Sequence, residues 1–373
     1  MEKVLICKAG YEYSTLKPTV FDMLESVGSL NIVPGATVLI KPNFLAPAKP
    51  ELAVTTHPLV VRAVVEYVLA RGGRPVVSDS QAIGSFRRVM KEGGYLEALE
   101  GIDVACLPFK TVSRFDIGRP FGTIDIARRA IEADIVVNLA KLKTHTQMLL
   151  TLGIKNLFGC IVGFQKPEWH LRSGVDRHMF GRLLVQIHQA VNPTLTLIDG
   201  VLALDRQGPG KGGRPRELGI LLAGSSAAAT DAAVCKLLGL PADRLPTNRA
   251  ARELGLLKEE PVLVGPVDPI RSFELPVMAP LSFGPRRLRK TLRKHLIQRP
   301  AVDRNTCRMC GECWQYCPAG AISPHEKTIR FDYDSCIRCY CCIEVCPHGA
   351  LAAVETMPGR FLRRFTRLRG RHR

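Results

Sequence analysis

The chain has few of the features that mark membrane-spanning, secreted or nucleotide-binding proteins. Its 373 residues include no run of about 18 uninterrupted apolar residues, so a membrane span is not indicated. The opening MEKVLICK is strand-like and lacks the apolar core of a signal peptide, and we expect a cytoplasmic protein. No G-x-x-x-x-G-K-[ST] loop is present, and no G-x-G-x-x-G turn directly follows a predicted strand. NAD, flavin and ATP are therefore not indicated.

Acidic residues are missing from two segments near the C-terminal end. Segments 286–299 and 358–373 each carry seven Lys or Arg residues and no acid, against a net charge of +18 for the chain. Apolar residues recur at helical spacing in both, as in basic amphipathic helices. These segments either cap the neighbouring module or dock an acidic redox partner protein or an anionic membrane surface. Charge alone does not indicate nucleic acid, which we do not expect as a partner.

Cysteine, in contrast, is abundant and regularly spaced. Eight of the thirteen cysteines form two copies of C-x2-C-x2-C-x3-C-P, offset by 29 residues. The copies are Cys307, Cys310, Cys313 and Cys317, then Cys336, Cys339, Cys342 and Cys346. Three thiolates of one such loop bind one 4Fe-4S cluster, and the fourth binds the other. Structural zinc is the alternative, but it does not account for three-Cys runs that a fourth Cys closes before Pro.

We therefore predict two interlocked 4Fe-4S clusters. Cysteine set 1, for cluster 1, is Cys307, Cys310, Cys313 and Cys346. Cysteine set 2, for cluster 2, is Cys336, Cys339, Cys342 and Cys317. The repeat extends past the ligands, since Gly320-Ala321-Ile322 matches Gly349-Ala350-Leu351. Segment 301–357 thus resembles the bacterial-type two-cluster ferredoxins, which implies a small α+β module that transfers electrons.

Residues 1–280 alternate short β-branched runs with helical stretches. This pattern predicts an α/β domain with a mostly parallel sheet and helices on both faces. The predicted strands are Val4–Cys7, Thr37–Lys41, Pro75–Ser78, Asp103–Cys106, Ile135–Asn138, Thr194–Ile198, Gly219–Leu222 and Pro261–Val264. The predicted helices are Lys17–Ser26, Pro58–Arg71, Ile124–Glu132, Phe180–Val191 and Ala227–Leu238. We interpret 281–300 as a basic linker or helix and 358–373 as an Arg-rich tail.

Polar residues collect where these strands are predicted to end. Ligands of open α/β sheets bind outside the carboxyl ends of the strands, so we expect one polar cleft there. The predicted substrate-binding residues are Lys41, Asn43, Asp79, Lys141, Lys155, Asn156 and Asp199. Alternatively, these are ordinary loop and cap residues.

The segment 138–170 is the richest in candidate catalytic groups. Lys143 and His145 follow a predicted strand, and His170 comes after the next helix. Lysine and histidine side chains that converge on a cleft suit an anionic small-molecule substrate and supply acid and base groups. We predict His145, His170 and Lys143 as catalytic residues.

Several short motifs of this region resemble those of an uncharacterised iron–sulfur centre family, the domain of unknown function number 362. They are Lys41-Pro42-Asn43, Thr56-His57-Pro58, Lys141 to His145, Lys155 to Gly159, Asp199-Gly200, Gln207-Gly208-Pro209 and Ala229-Thr230-Asp231. Thr230 departs from the pattern, which has a small apolar residue there. The resemblance covers about residues 1–260 and implies an α/β domain and cluster binding, with no established reaction.

Two functions compete on this reading. In the first, the protein is a redox enzyme whose clusters pass electrons to a substrate in the α/β domain. In the second, it is an electron carrier or adaptor whose α/β domain and basic segments dock a redox partner or a membrane surface.

Overall fold

The computed structural model describes residues 1–163, 165–173, 176–266, 268–276, 295 and 298–358. Most of the basic segment 286–299 and nearly all of the tail 358–373 lie outside the described residues. The predictions made for those two segments therefore stay predictions.

One sheet of nine strands forms the centre of the α/β domain, in the order β11-β1-β10-β9-β7-β2-β3-β4, with β8 added beside β7. Its strands are β1 Lys3–Lys8, β2 Thr37–Lys41, β3 Arg74–Val77, β4 Ala105–Cys106, β7 Ile135–His145, β8 Leu149–Thr151, β9 Leu195–Arg206, β10 Gly213–Gly224 and β11 Val262–Val264. Within it β10 and β8 run antiparallel to their neighbours and the other pairings are parallel. A separate hairpin pairs β5 Val112–Asp116 with β6 Thr123–Ala127.

Helices cover both faces of this sheet, so its strands are largely buried. The helices of the domain are α1 Tyr13–Val27, α2 Pro58–Ala70, α3 Phe86–Glu92, α4 Tyr95–Ala98, α5 Arg128–Glu132, α6 Gly153–Asn156, α7 Gln165–Arg172, α8 Arg177–Val191, α9 Ala227–Leu237 and α10 Pro246–Glu253. Apolar side chains of α1 and α2 pack on one face, and those of α8 and α9 on the other. The predicted fold class is confirmed.

The predicted helix Ile124–Glu132 is wrong in its first half. Thr123–Ala127 is strand β6, and helix α5 begins only at Arg128. Ile124 and Ile126 are buried, whereas Thr123, the first residue of the strand, is exposed and Asp125 is half-buried. This alternation is typical of a strand. Two isoleucines at a spacing of two residues were the signal for this.

The C-terminal module, residues 301–357, consists of one short hairpin, a second antiparallel strand pair that joins its two ends, and two short helices. Its strands are β12 Arg299–Val302, β13 Ile322–His325, β14 Thr328–Phe331 and β15 Leu351–Val354, and its helices are α11 Glu312–Gln315 and α12 Cys341–Glu344. The 29-residue repeat recurs in the backbone, because Met309 and Arg338 both have left-handed φ values, 52° and 60°. We call this segment the ferredoxin module.

The ferredoxin module packs against the loops that follow β2 and β3. Ala46, Ala82 and Ile83 of the α/β domain join one apolar cluster with Ile343 and Val345 of the module. The module thus sits at the carboxyl ends of the parallel strands, where we expected the cleft. Among the described residues, no helix has both the length and the apolar character needed to cross a bilayer.

Candidate active site between the two modules

A cavity of about 740 Å³, measured out to its mouth, lies where the strand ends meet the ferredoxin module. Seven of the ten predicted cleft and catalytic residues line it: Asn43, Asp79, Lys143, His145, Lys155, Asn156 and His170. The opposite wall comes from the ferredoxin module, through Tyr316, Cys341, Glu344 and Val345. The cavity is therefore formed jointly by the two modules.

The central strand β7 is longer than predicted and carries three of these groups itself. It runs to His145, so Lys141, Lys143 and His145 lie within the strand and not after it. Their spacing of two residues places all three side chains on one face of the strand. Pairing with β8 and β9 on either side buries them, which explains why all three are less than 2% exposed.

A chain of side-chain amides holds the floor of the cavity. The Lys143 Nζ donates to Asn43 Oδ1 at 2.8 Å, and Asn43 Nδ2 donates to Asn156 Oδ1 at 2.9 Å. Asn156 Nδ2 then donates to Asn138 Oδ1 at 2.7 Å, and Asn138 Nδ2 to Gly153 O at 3.0 Å. Together these hydrogen bonds connect the loop after β2 with helix α6 and strand β7. The two predicted asparagines thus position the lysine as well as facing the cavity.

Lys41 and Asp79 form a buried ion pair at the edge of the cavity. The Nζ lies 2.9 Å from Asp79 Oδ1, and the other carboxylate oxygen accepts the backbone N–H of Phe44 at 2.8 Å. Gly159 packs directly on this pair, because a Cβ there would lie 2.6 Å from Lys41 Nζ and closer still to the carboxylate. Lys41 itself does not line the cavity, but it pairs with Asp79, which does.

His145 faces Glu344 of the ferredoxin module across the cavity wall. Its Nδ1 accepts the backbone N–H groups of Gln147 and Met148 at 3.1 and 3.2 Å, so the ring proton sits on Nε2. Nε2 lies 2.7 Å from Glu344 Oε1, although the angle falls short of a well-formed hydrogen bond. Burial lowers the pKa of His145 to about 4, and nearby Lys155 adds to this. The imidazole is therefore neutral near pH 7.

Three lysines line the cavity, together with the two carboxylates of Asp79 and Glu344. Lys143 is held by Asn43 and by Val54 O at 2.6 Å, and burial next to Lys155 lowers its pKa well below the ordinary range. Burial also lowers the pKa of Lys155, which makes no hydrogen bond or ion pair with any described residue. Lys166 donates to Ser80, and burial lowers its pKa to about 8. Lys155 is thus the ammonium left for a bound anion.

His170 lies in an aromatic setting. Its ring lies 4.3 Å from the Phe180 ring at an interplanar angle of 31°, and it meets the Phe158 ring edge-on at 5.5 Å. Burial lowers the pKa of His170 to about 3, and its Nδ1 has no hydrogen-bond partner among the described residues. This histidine is neutral at physiological pH and packs at the back of the cavity.

Lys141 and Asp199 lie outside the cavity, although we predicted both as substrate-binding residues. Lys141 Nζ pairs with Asp199 Oδ2 at 2.7 Å, and both side chains are at most 1% exposed. Asp199 also accepts from the hydroxyl of Tyr11 at 2.8 Å and from the backbone N–H of His57 at 2.9 Å. The geometry makes this pair a buried tie between β7, β9 and the start of α2.

The short helix α6, which carries Lys155 and Asn156, is anchored by a buried acid that we did not select. Asp231 accepts the backbone N–H groups of Gly153 at 2.7 Å and Ile154 at 3.1 Å. Even with these two donors, burial raises the pKa of Asp231 to about 7. The motif Ala229-Thr230-Asp231 therefore fixes the helix that faces the cavity.

The two cysteine sets each surround a smaller cavity in the ferredoxin module. The set 1 cysteines line a space of about 320 Å³ and the set 2 cysteines one of about 310 Å³. In each copy a backbone N–H donates to the last sulfur, from Ala321 to Cys317 and from Ala350 to Cys346, both at 3.2 Å. Four soft thiolates around a closed space fit a 4Fe-4S cluster. Among the described residues, no three His, Cys, Asp or Glu converge closely enough to hold a single metal ion.

Reasoning from sequence missed Glu344, Tyr316, Lys166 and Asp231. Glu344 and Tyr316 lie among the cysteines, where the pattern pointed to clusters and not to the wall of a second site. Lys166 falls within the segment 138–170 and could have been included with its neighbours. Asp231 is part of a family motif, and that motif was its only signal.

Comparison with known proteins agrees with this architecture. The family model described as Domain of unknown function (DUF362) matches residues 38–236. The chain belongs to the DUF362 family. A second model, the 4Fe-4S dicluster domain, matches residues 291–350, which makes this family member an iron–sulfur protein of electron-transfer type.

A curated relative extends over most of the chain. The thylakoid-associated protein sll1697 of Synechocystis is 36% identical over 303 residues, covering 79% of this chain and 94% of its own length. Among solved structures, the lactate racemase apoprotein from Thermoanaerobacterium thermosaccharolyticum is 12% identical with a TM-score of 0.36, over 55% of this chain and 51% of that one. A TM-score of that size does not establish a shared fold.

Proposed function

We propose that this protein is a redox enzyme that reduces a small carboxylate bound in the cavity between its two modules. The observation that carries the proposal is the position of the cavity wall. Tyr316, Cys341 and Val345 line the cavity, and each is the chain neighbour of a cysteine in set 1 or set 2. A substrate in this cavity would therefore contact residues that directly adjoin cysteines of both sets. When bound, two 4Fe-4S clusters supply electrons one at a time.

The charges of the cavity favour a carboxylate. The proposed reduction additionally requires that this carboxylate carry an electron-accepting double bond. Lys155 supplies an ammonium that has no partner among the described residues, while the apolar rings of Phe44 and Phe158 form part of the lining. A 2-oxo acid or a 2,3-unsaturated acid takes up two electrons and two protons, which matches two one-electron centres. Neither NAD nor flavin is needed for that stoichiometry.

Lys143 is the group best placed to deliver a proton. Two of its three N–H bonds are used by Asn43 and Val54, which leaves one for the cavity. Burial lowers the pKa of Lys143, so its ammonium releases a proton more readily than that of an exposed lysine. The second proton comes from solvent. His145 is held in place by the two backbone N–H groups that its Nδ1 accepts, and its Nε2 faces Glu344 at 2.7 Å.

The ligand assignment belongs to the same proposal. We assign Cys307, Cys310, Cys313 and Cys346 to cluster 1, and Cys336, Cys339, Cys342 and Cys317 to cluster 2, as the two cavities support. Anaerobic purification should yield about eight irons and eight sulfides per chain, the content of two such clusters. EPR of the dithionite-reduced protein should then show two interacting reduced clusters. Zinc in their place, or one cluster, would contradict the assignment.

The enzymatic part is tested by reoxidation of the reduced protein. Dithionite-reduced protein is mixed with a panel of 2-oxo and 2,3-unsaturated carboxylates, and the visible absorbance of the clusters is followed. Lys155→Met should raise the KM of the active acid by at least tenfold while iron content stays normal, because a hydrogen bond to a charged group is worth about 1.5–3 kcal/mol. Lys91→Met, an exposed lysine on α3, is the matched control. Normal clusters that no acid reoxidises would refute the enzyme.

A carrier that docks on a membrane surface is the second candidate. The relative in Synechocystis is named for its association with thylakoids, and segments 286–299 and 358–373 are basic and acid-free. Basic segments bind anionic lipid in a salt-sensitive manner. Sedimentation with anionic vesicles, lost at high salt and on removal of 358–373, would support this docking. Equal binding to neutral vesicles would contradict it.

A further inference from the structure

The two cysteine sets differ in exposure and in their share of the cavity wall. Set 1 contains the exposed Cys310 and one buried cysteine, Cys313, whereas set 2 has two buried cysteines, Cys339 and Cys342, and no exposed one. Two residues of the cavity wall, Tyr316 and Cys341, directly adjoin cysteines of set 2, whereas one, Val345, adjoins a cysteine of set 1. Set 1 therefore has the exposed cysteine, and set 2 has the larger share of the cavity wall.

A buried guanidinium distinguishes the loop of set 2. Arg338 lies between Cys336 and Cys339, is 1% exposed, and its three guanidinium nitrogens have no hydrogen-bond partner among the described residues. It stacks over the Tyr333 ring at 5.1 Å. The chain neighbours of Arg338, Ile337 and Cys339, both line the cavity of set 2.

The matching position of the first repeat holds no charge. Met309 occupies it, 29 residues earlier and with the same left-handed backbone. The neighbouring Arg308 lines the cavity of set 1 but is exposed, so solvent screens its charge. A buried charge acts through a lower effective dielectric and stabilises the more negative state of a nearby centre. For an iron–sulfur cluster the more negative state is the reduced one.

We propose that Arg338 makes cluster 2 the more easily reduced of the two, so that electrons enter at cluster 1 and leave for the cavity from cluster 2. The second half of this statement rests on the proposed function, and the first half does not. An external one-electron donor protein would lose one electron to the cluster held by set 1, and that cluster would pass the electron to the cluster held by set 2. No bond is made or broken in either transfer.

Potentiometric titration followed by EPR, on the full holoprotein without substrate, tests the order. We expect two unequal midpoint potentials. Arg338→Met should lower the higher one by at least the equivalent of a tenfold change in the equilibrium, about 59 mV for one electron, and leave the lower one in place. Arg338→Lys should retain most of the wild-type value, because it keeps the charge. Arg308→Met, the exposed arginine of the other loop, should move neither potential.

A Cys310→Ala variant assigns the higher potential. It removes the exposed ligand of set 1, and the 4Fe-4S couple that remains should be the higher one and should respond to Arg338→Met. The proposal is overturned if Arg338→Met moves neither potential or only the lower one. It is equally overturned if Arg338→Lys lowers the higher midpoint potential as much as Arg338→Met does, because side-chain packing and not charge would then be responsible. Because no substrate is present, a failed substrate screen would leave this result unaffected.

Discussion

Replacing Asp231 with Asn should remove a pH dependence from the stability of the α/β domain. Burial raises the pKa of this carboxyl from 3.8 to about 7. Each pKa unit is worth about 1.36 kcal/mol, so the shift corresponds to about 4 kcal/mol. The folded protein holds the proton more tightly than the unfolded chain. The stabilisation is therefore complete below the unfolded pKa, near 4, and is lost as the pH rises through about 7.

Urea unfolding at pH 5, 6, 7 and 8, followed by the fluorescence of buried Trp169, measures this effect. Relative to Asp231→Asn, the free energy of unfolding of the wild type should fall by about 3 kcal/mol across that window. The variant keeps one of the two accepted N–H bonds and should lose about 1 kcal/mol at every pH. Asp22→Asn, an exposed acid of the same domain, serves as the control. A gap between wild type and Asp231→Asn that stays constant with pH would refute the burial argument.

Two further substitutions probe the buried ion pairs. Lys141→Met leaves the Asp199 carboxylate buried without its cation and should lower the free energy of unfolding by about 3–5 kcal/mol in urea titrations; a loss below about 1 kcal/mol would contradict a buried pair. Gly159→Ala should lower the free energy of unfolding by about 1–3 kcal/mol, because the new methyl group overlaps the Asp79 carboxylate. Gly10→Ala, where the nearest atom lies 4.0 Å away, is the control and should cost little. Equal thermal midpoints for the two variants would show that the site around Gly159 can relax.

The spacing of apolar residues predicted most of the sheet, because the burial pattern of a strand is visible in its own short stretch of sequence. The strand Thr37–Lys41 was predicted with its observed ends, and Ile135–Asn138 failed only by stopping early. The alternation of Lys141 and Lys143 with apolar residues already indicated a longer strand. Charged residues led us to end the strand there, since lysine rarely lies inside a sheet without a partner.

The cavity could not be derived from sequence in the same way. Its decisive contact joins His145 to Glu344, two residues 199 positions apart on different modules. Motif reasoning identified the cysteines around Glu344 and the lysines around His145 separately, and neither pattern says how two modules pack. Lys141 and Asp199 show the converse, since both occur in family motifs and yet satisfy each other away from the cavity.

Because one cavity has walls from both modules, a reaction in that cavity would have its electron source in the same polypeptide. Free ferredoxins must diffuse to an enzyme, dock and leave for each electron, whereas a tethered module is present at millimolar effective concentration without binding affinity of its own. Delivery at this site would then be independent of how much protein the cell makes. Diffusion would limit only the loading of the exposed cluster from outside.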